Sequence, residues 1–224
     1  MFFIGDIDKV KLLKLVATAI GVSLSIAARA TVYGGVDFPS GATSFADAVV
    51  SYAPSYGGTT GPAVQYQTPL EALGVPTGSA NSGFVTLGQG GRIVFKFTDN
   101  SLTGSGTSAF DLWIFEVGSD VEDTFVDISK DGNTWFSVGK VFGATSGIDI
   151  DSFGFDTTDF FSYLRLTDDS LEGETGSGNS VGADIDAVGV ISSAASVSNV
   201  PEPASAALVC IGLVGLIAAR RRKQ

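Results

Sequence analysis

The 224-residue chain carries 24 acidic and 13 basic residues, a formal net charge of −11, no histidine and one cysteine, Cys210. Without imidazole, Ser-His-Asp and Cys-His catalysis and histidine-ligated zinc are excluded, and a surface of this sign repels phosphate, which excludes nucleic acid as a partner. What stays open is chemistry by carboxylates, such as a paired-carboxylate glycoside hydrolase, or no catalysis at all.

At the start of the chain, Lys9, Lys11 and Lys14 precede the apolar run LVATAIGVSLSIAA. Ala28 and Ala30 flank Arg29 in a small-x-small cleavage pattern, so residues 1–30 are expected to be a secretory signal peptide. Asp6 and Asp8 are unusual in a basic n-region and leave the true start codon open.

Residues 31–193 are expected to form one extracellular domain, and 194–203 a linker. Residues 31–200 keep five cations, Arg92, Lys96, Lys130, Lys140 and Arg165, against 21 Asp and Glu, a formal charge of −16. Five of the seven prolines lie between Pro39 and Pro76, so the first third should be irregular. GRIVFKFT then alternates Ile93, Phe95 and Phe97 with Arg92, Val94 and Lys96, the period-2 pattern of a half-buried strand. FDLWIFEV, TFVDISK, NTWFSVG, YLRLTD and DIDAVGVI are further short runs rich in β-branched and aromatic residues, parted by Gly, Asp, Asn and Ser clusters. Asp131-Gly132 is the dipeptide that a tight hairpin favours. With no amphipathic helix and no internal repeat, the pattern predicts an all-β fold, an antiparallel β-sandwich of jelly-roll type.

The candidate chemistry is acidic. Asp168, Asp169, Glu172, Glu174, Asp184 and Asp186 crowd into 19 residues, and hard oxygen ligands gathered in this way suit calcium. Asp184 and Asp186 stand in an apolar stretch, where an unpaired charge is costly. They are the expected metal ligands, with Asp111 a third; the alternative is a solvated acidic loop. DIDSFG at 149–154 is not an EF-hand, because Phe153 and Phe160 occupy positions that need ligands. Trp113 and Trp135 are candidate glycan-stacking residues, with core filling as the alternative. Glu116 and Asp186 are the imaginable hydrolase pair, with nothing in the sequence to fix their spacing.

The tail, 204–224, opens with a charge-free apolar run to residue 219. As a helix that run would be roughly 24 Å long, short of the roughly 30 Å hydrocarbon core of a bilayer. Arg220, Arg221, Arg222 and Lys223 close it, and such a cluster is held on the cytoplasmic side. Pro201, Glu202 and Pro203, then this transmembrane helix, then the cationic cluster closely resemble the PEP-CTERM sorting signal of Gram-negative bacteria that make exopolysaccharide. The resemblance implies processing by a membrane-embedded exosortase, transient inner-membrane anchoring, and delivery to the cell surface or the medium. Cys210 would leave with the tail, so the mature domain would have no thiol or disulfide.

VDISKDGNTW (126–135) resembles the hairpin of discoidin-type, galactose-binding-like sandwiches, and DLWIFEVG and GADIDAVGV are similar to segments of extracellular domains carrying this sorting signal. The expected function is a non-catalytic surface or biofilm-matrix protein; the alternative is a carbohydrate-binding module, calcium-dependent or not, that takes exopolysaccharide or another surface glycan. A binding module should expose an aromatic platform on one sheet face or loop rim.

Overall fold

The computed structural model describes residues 30–58, 60–118, 122–171 and 179–195. Ala28, the linker from residue 196 on, Pro201, Glu202, Pro203, the apolar tail, Arg220, Arg221 and Arg222 lie outside the described residues, as do Glu172 and Glu174. Among the described residues no helix is long and apolar enough to cross a membrane.

The strands in chain order are β1 (Thr31–Tyr33), β2 (Val36–Phe38), β3 (Ala48–Ala53), β4 (Val85–Thr86), β5 (Arg92–Lys96), β6 (Asn100–Leu102), β7 (Leu112–Glu116), β8 (Thr124–Ser129), β9 (Phe136–Val141), β10 (Thr145–Ile148), β11 (Tyr163–Asp168), β12 (Asp184–Val190) and β13 (Ser193–Ala195). The region holding five prolines contains only β3 and short 3-10 turns, since a ring that fixes φ and removes a donor suits turns over ladders.

Two antiparallel sheets face each other, one in the order β3-β5-β11-β8-β9 and the other in the order β10-β7-β12-β4. The chain crosses between them from β4 to β5, β7 to β8, β9 to β10 and β11 to β12, the connectivity of a jelly-roll sandwich. β6 and β13 form a small ribbon at one end, so the described ladder continues to Ala195, just past the expected boundary at 193. Asp131 and Gly132 turn β8 into β9 as expected. Gly132 takes φ 77°, and the Asp131 carboxylate accepts the amides of Asn133 and Thr134 at 2.8 Å.

The core follows from the period-2 pattern. Ile93 and Phe95 of β5, Val126 and Ile128 of β8, and Leu164 and Leu166 of β11 meet Leu112 and Ile114 of β7 and Ile185, Val188 and Val190 of β12. On the other side of the four-stranded sheet lies a second cluster of Phe38, Phe45, Phe115 and Ala187, with Tyr33 and Trp113 packed against it. Apolar cover on both faces explains why all seven residues of β12 are buried. A bulge between Ile185 and Ala187 resets the alternation, so that Ile185 and Val188 both reach the main core while Ala187 joins the second cluster.

Candidate functional site

The outward face of the five-stranded sheet gathers four of the domain's five cations. Register sets Thr167 opposite Arg92 and Phe125, Arg165 opposite Val94 and Asp127, and Tyr163 opposite Lys96; Phe125 in turn faces Lys140. Each cation meets a ring: Arg92 lies 3.7 Å from the centroid of Tyr56, Arg165 4.3 Å from Trp135, Lys96 5.3 Å from Tyr163 and Lys140 5.6 Å from Phe125. Such pairs attract through the ring quadrupole. Arg165 is also held by Asp127 at 3.0 Å, and Lys140 by Asp123 and Asp169. Tyr56 is 62% and Phe125 42% exposed. The result is an aromatic and cationic face on a strongly acidic domain. Its signal was in the sequence, because Arg92 and Lys96 alternate outward from Ile93 and Phe95, and Phe125 outward from Val126.

The two tryptophans part company. Trp135 sits half-buried on this face beneath Arg165. Trp113 lies on the other sheet, half-buried against the second cluster with its ring edge-on to Phe110 at 5.3 Å. Among the described residues no cation is set against its ring.

A cleft of about 370 Å³ opens at the Asp184 end of β12, lined among others by Thr77, Gly78, Phe115, Glu116, Thr145 and Asp186. Asp186 is fully engaged there: Oδ1 accepts the Thr77 amide at 3.0 Å and hydroxyl at 2.9 Å, and Oδ2 the Gly78 amide at 2.8 Å. Asp184 accepts the Thr86 hydroxyl on β4. Protein donors thus meet these two carboxylates, which answers the cost of burying them. Glu116 shares the cleft with Asp186. Burial pushes its carboxyl up to about 9, and the Glu122 carboxyl beside it pushes the same way; the Glu122 amide donates to Glu116 Oε1 at 3.0 Å. At the end of β11, in the other sheet, burial raises Asp168 despite amides from Gly90 at 2.7 Å and Ala183 at 2.9 Å.

Asp111 does not join Asp184 and Asp186, and here the expected three-ligand set is corrected. Asp111 precedes β7 and accepts the Ile191 amide at the far end of β12, and β12 is seven residues long, roughly 20 Å at about 3.3 Å per residue. One ion cannot be shared across that length. Asp111 instead meets Asp149 and Asp151, with one carboxylate oxygen from each within 4.8 Å of the others. The DIDSFG segment is no EF-hand, yet two of its aspartates converge on a third about 40 residues earlier, a gathering that no local motif announces. Burial raises the Asp111 carboxyl above its usual range; the Ser192 hydroxyl, the Ile150 amide and the Ser105 hydroxyl oppose this, and the charge of Asp151 adds to it.

With the geometry in place, the comparisons add one firm result. Residues 199–223 match the family model of the PEP-CTERM protein-sorting motif. The chain carries a PEP-CTERM sorting signal. This signal implies export, processing by exosortase and C-terminal sorting to the cell surface. The motif covers the tail and leaves the sandwich unassigned. No curated protein matches the chain. Among solved structures the chain is similar to the C-terminal domain of a chitobiase from Bacteroides fragilis, at 15% identity and a TM-score of 0.33, over 65% of this chain and 95% of that one.

Proposed function

We propose that this PEP-CTERM protein is a non-catalytic surface protein whose sandwich binds polysaccharide of the extracellular matrix through the outward face of its five-stranded sheet. One observation carries the reading: that face sets Tyr56, Phe125, Trp135 and Tyr163 beside Arg92, Lys96, Lys140 and Arg165. Rings stack on the apolar faces of sugars, and the cations donate to hydroxyls or pair with acidic sugars. Within the described residues Arg92 and Lys96 form no ion pair; Arg92 Nε donates to the Thr167 hydroxyl at 3.1 Å, which leaves its terminal nitrogens and the Lys96 ammonium for a ligand. On the opposite sheet the β1-β2 hairpin and Phe45 pack over Phe115 and Ala187, and among the described residues no cation–ring pair lies there.

The test is affinity electrophoresis of the purified protein through gels containing matrix polysaccharide from the host, with alginate and dextran as anionic and neutral probes. Retardation that falls in Tyr56→Ala and Phe125→Ala, both exposed and thus separable from stability, supports the reading. Unretarded migration in all three gels would remove it, leaving a structural surface protein.

A further inference from the structure

We propose that Asp111, Asp149 and Asp151 form a calcium site that ties the start of β7 to the loop after β10. Three carboxylates with oxygens within 4.8 Å of one another repel unless a cation sits between them, and 4.8 Å is about twice a calcium–oxygen bond of roughly 2.4 Å. The second observation is independent of the crowding. Asp111 is fully buried, its Oδ2 accepts the Ile150 amide at 3.0 Å, and its Oδ1 has no hydrogen-bond partner. A buried carboxylate oxygen without a partner is costly, and a cation in the cluster supplies what it lacks.

The surroundings fit a hard ion. The Ser105 and Ser192 hydroxyls lie beside Asp111, and Ser105 Oγ also approaches Asp151 Oδ2 at 3.3 Å. The donor set is therefore all oxygen, with the three carboxylates outnumbering the charge of one divalent ion. The loop from Gly104 to Gly106 wraps Asp151, whose oxygens accept the Ser105 amide at 2.8 Å and the Gly106 amide at 3.1 Å. A side chain at Gly104 would meet both Asp151 oxygens at 3.0 Å, so glycine there leaves the carboxylate its room. Calcium accepts six to eight oxygens in flexible geometry, whereas magnesium demands a near-ideal octahedron at about 2.1 Å; three side chains from separate segments suit the larger ion.

The test uses the full chain, purified in mild detergent, stripped with EDTA and dialysed. Calcium is titrated by calorimetry, and melting is followed in EDTA, calcium and magnesium at fixed ionic strength. One calcium per chain is expected, with a melting temperature that rises in calcium and rises less in magnesium. Asp149→Asn should weaken calcium at least about tenfold, yet melt in EDTA at or above the parent temperature, because it removes one of three repelling charges. This separates ligation from mere structure, and it avoids Asp111→Asn, whose buried position risks the fold. Asp184→Asn, at the other end of β12, should bind calcium as the parent does. No calcium heat, an equal rise in magnesium, or unchanged affinity in Asp149→Asn would each overturn the site, and loss of binding in Asp184→Asn alone would relocate it.

Discussion

Arg165 lies over the indole of Trp135, 4.3 Å from the ring centroid, while its Nε and Nη2 both reach Asp127 Oδ2 at 3.0 Å. The guanidinium thus joins β11 to β8 by charge and, over the Trp135 ring, to the segment that leads into β9. A planar group does both at once, and an ammonium cannot.

The first prediction follows from that geometry. Arg165→Lys should keep the charge and lose the stacking, lowering stability by about 1 kcal/mol, and Arg165→Ala by about 1–3 kcal/mol, since it also strands Asp127. Trp135 becomes more exposed in both, so tryptophan emission should shift to the red. Unchanged emission together with an unchanged urea midpoint would show that the stack contributes nothing.

Gly189 is fixed by aromatic packing. A Cβ there would lie 2.8 Å from Phe38 Cε1 and 2.8 Å from Phe45 Cε1, and these rings sit only 4.6 Å apart at their centroids. Gly189→Ala, ordinarily a mild change in a strand, should cost about 1–3 kcal/mol by overpacking. Phe45→Leu opens space beside it, so the double variant should be more stable than the sum of the two single effects; strict additivity would remove this account.

How much of this was legible depends on sequence distance. The strand GRIVFKFT and the Asp131-Gly132 turn rest on neighbours in the chain, and the structure places Ile93, Phe95 and Phe97 in the core and the turn between β8 and β9, as the sequence pattern predicts. The stretch DIDAVGVI was read as a strand, but its carboxylates were assigned to a cation because nothing nearby supplies donors. The donors for Asp186 come from Thr77 and Gly78, more than 100 residues earlier. Likewise the sequence groups Asp111 with Asp184 and Asp186 as a third ligand, whereas Asp149 and Asp151 reach it only through the pairing of β10 with β7. The cationic face was visible in alternation within single strands, whereas its assembly required the strand order. Composition bounded the chemistry, and topology chose the partners.

Asp186 should therefore behave as an anchor for the loop at Pro76–Gly78. Asp186→Ala leaves the amides of Thr77 and Gly78 without their acceptor and should cost about 2–4 kcal/mol, whereas Asp186→Asn keeps one acceptor oxygen and should cost less. Limited proteolysis reads the same event locally, with faster cleavage between residues 74 and 84 in the alanine variant. Equal cleavage and equal melting in the two variants would show that the loop stands without it.

The pH dependence of stability turns on Glu116. An ordinary glutamate titrates near 4.5, and burial with the neighbouring Glu122 carboxyl lifts Glu116 in the folded state to about 9. Between those values the native state holds a proton that the unfolded chain releases, so the contribution of Glu116 to stability is fully present below about 4.5 and is lost as pH rises toward about 9. Burial raises Asp168 as well, which adds to the decline in its lower part. Glu116→Gln imitates the protonated carboxyl and retains an oxygen for the Glu122 amide, so it should melt near the parent temperature at pH 5, above it at pH 8, and with a flatter slope between. The check is a series of thermal melts from pH 4.5 to 9 at constant ionic strength, in EDTA so that metal binding does not enter. A parent profile that rises with pH over this interval, or a glutamine variant with the parent's slope, would mean that Glu116 is ionised in the folded protein and that the Glu122 amide or solvent meets its charge.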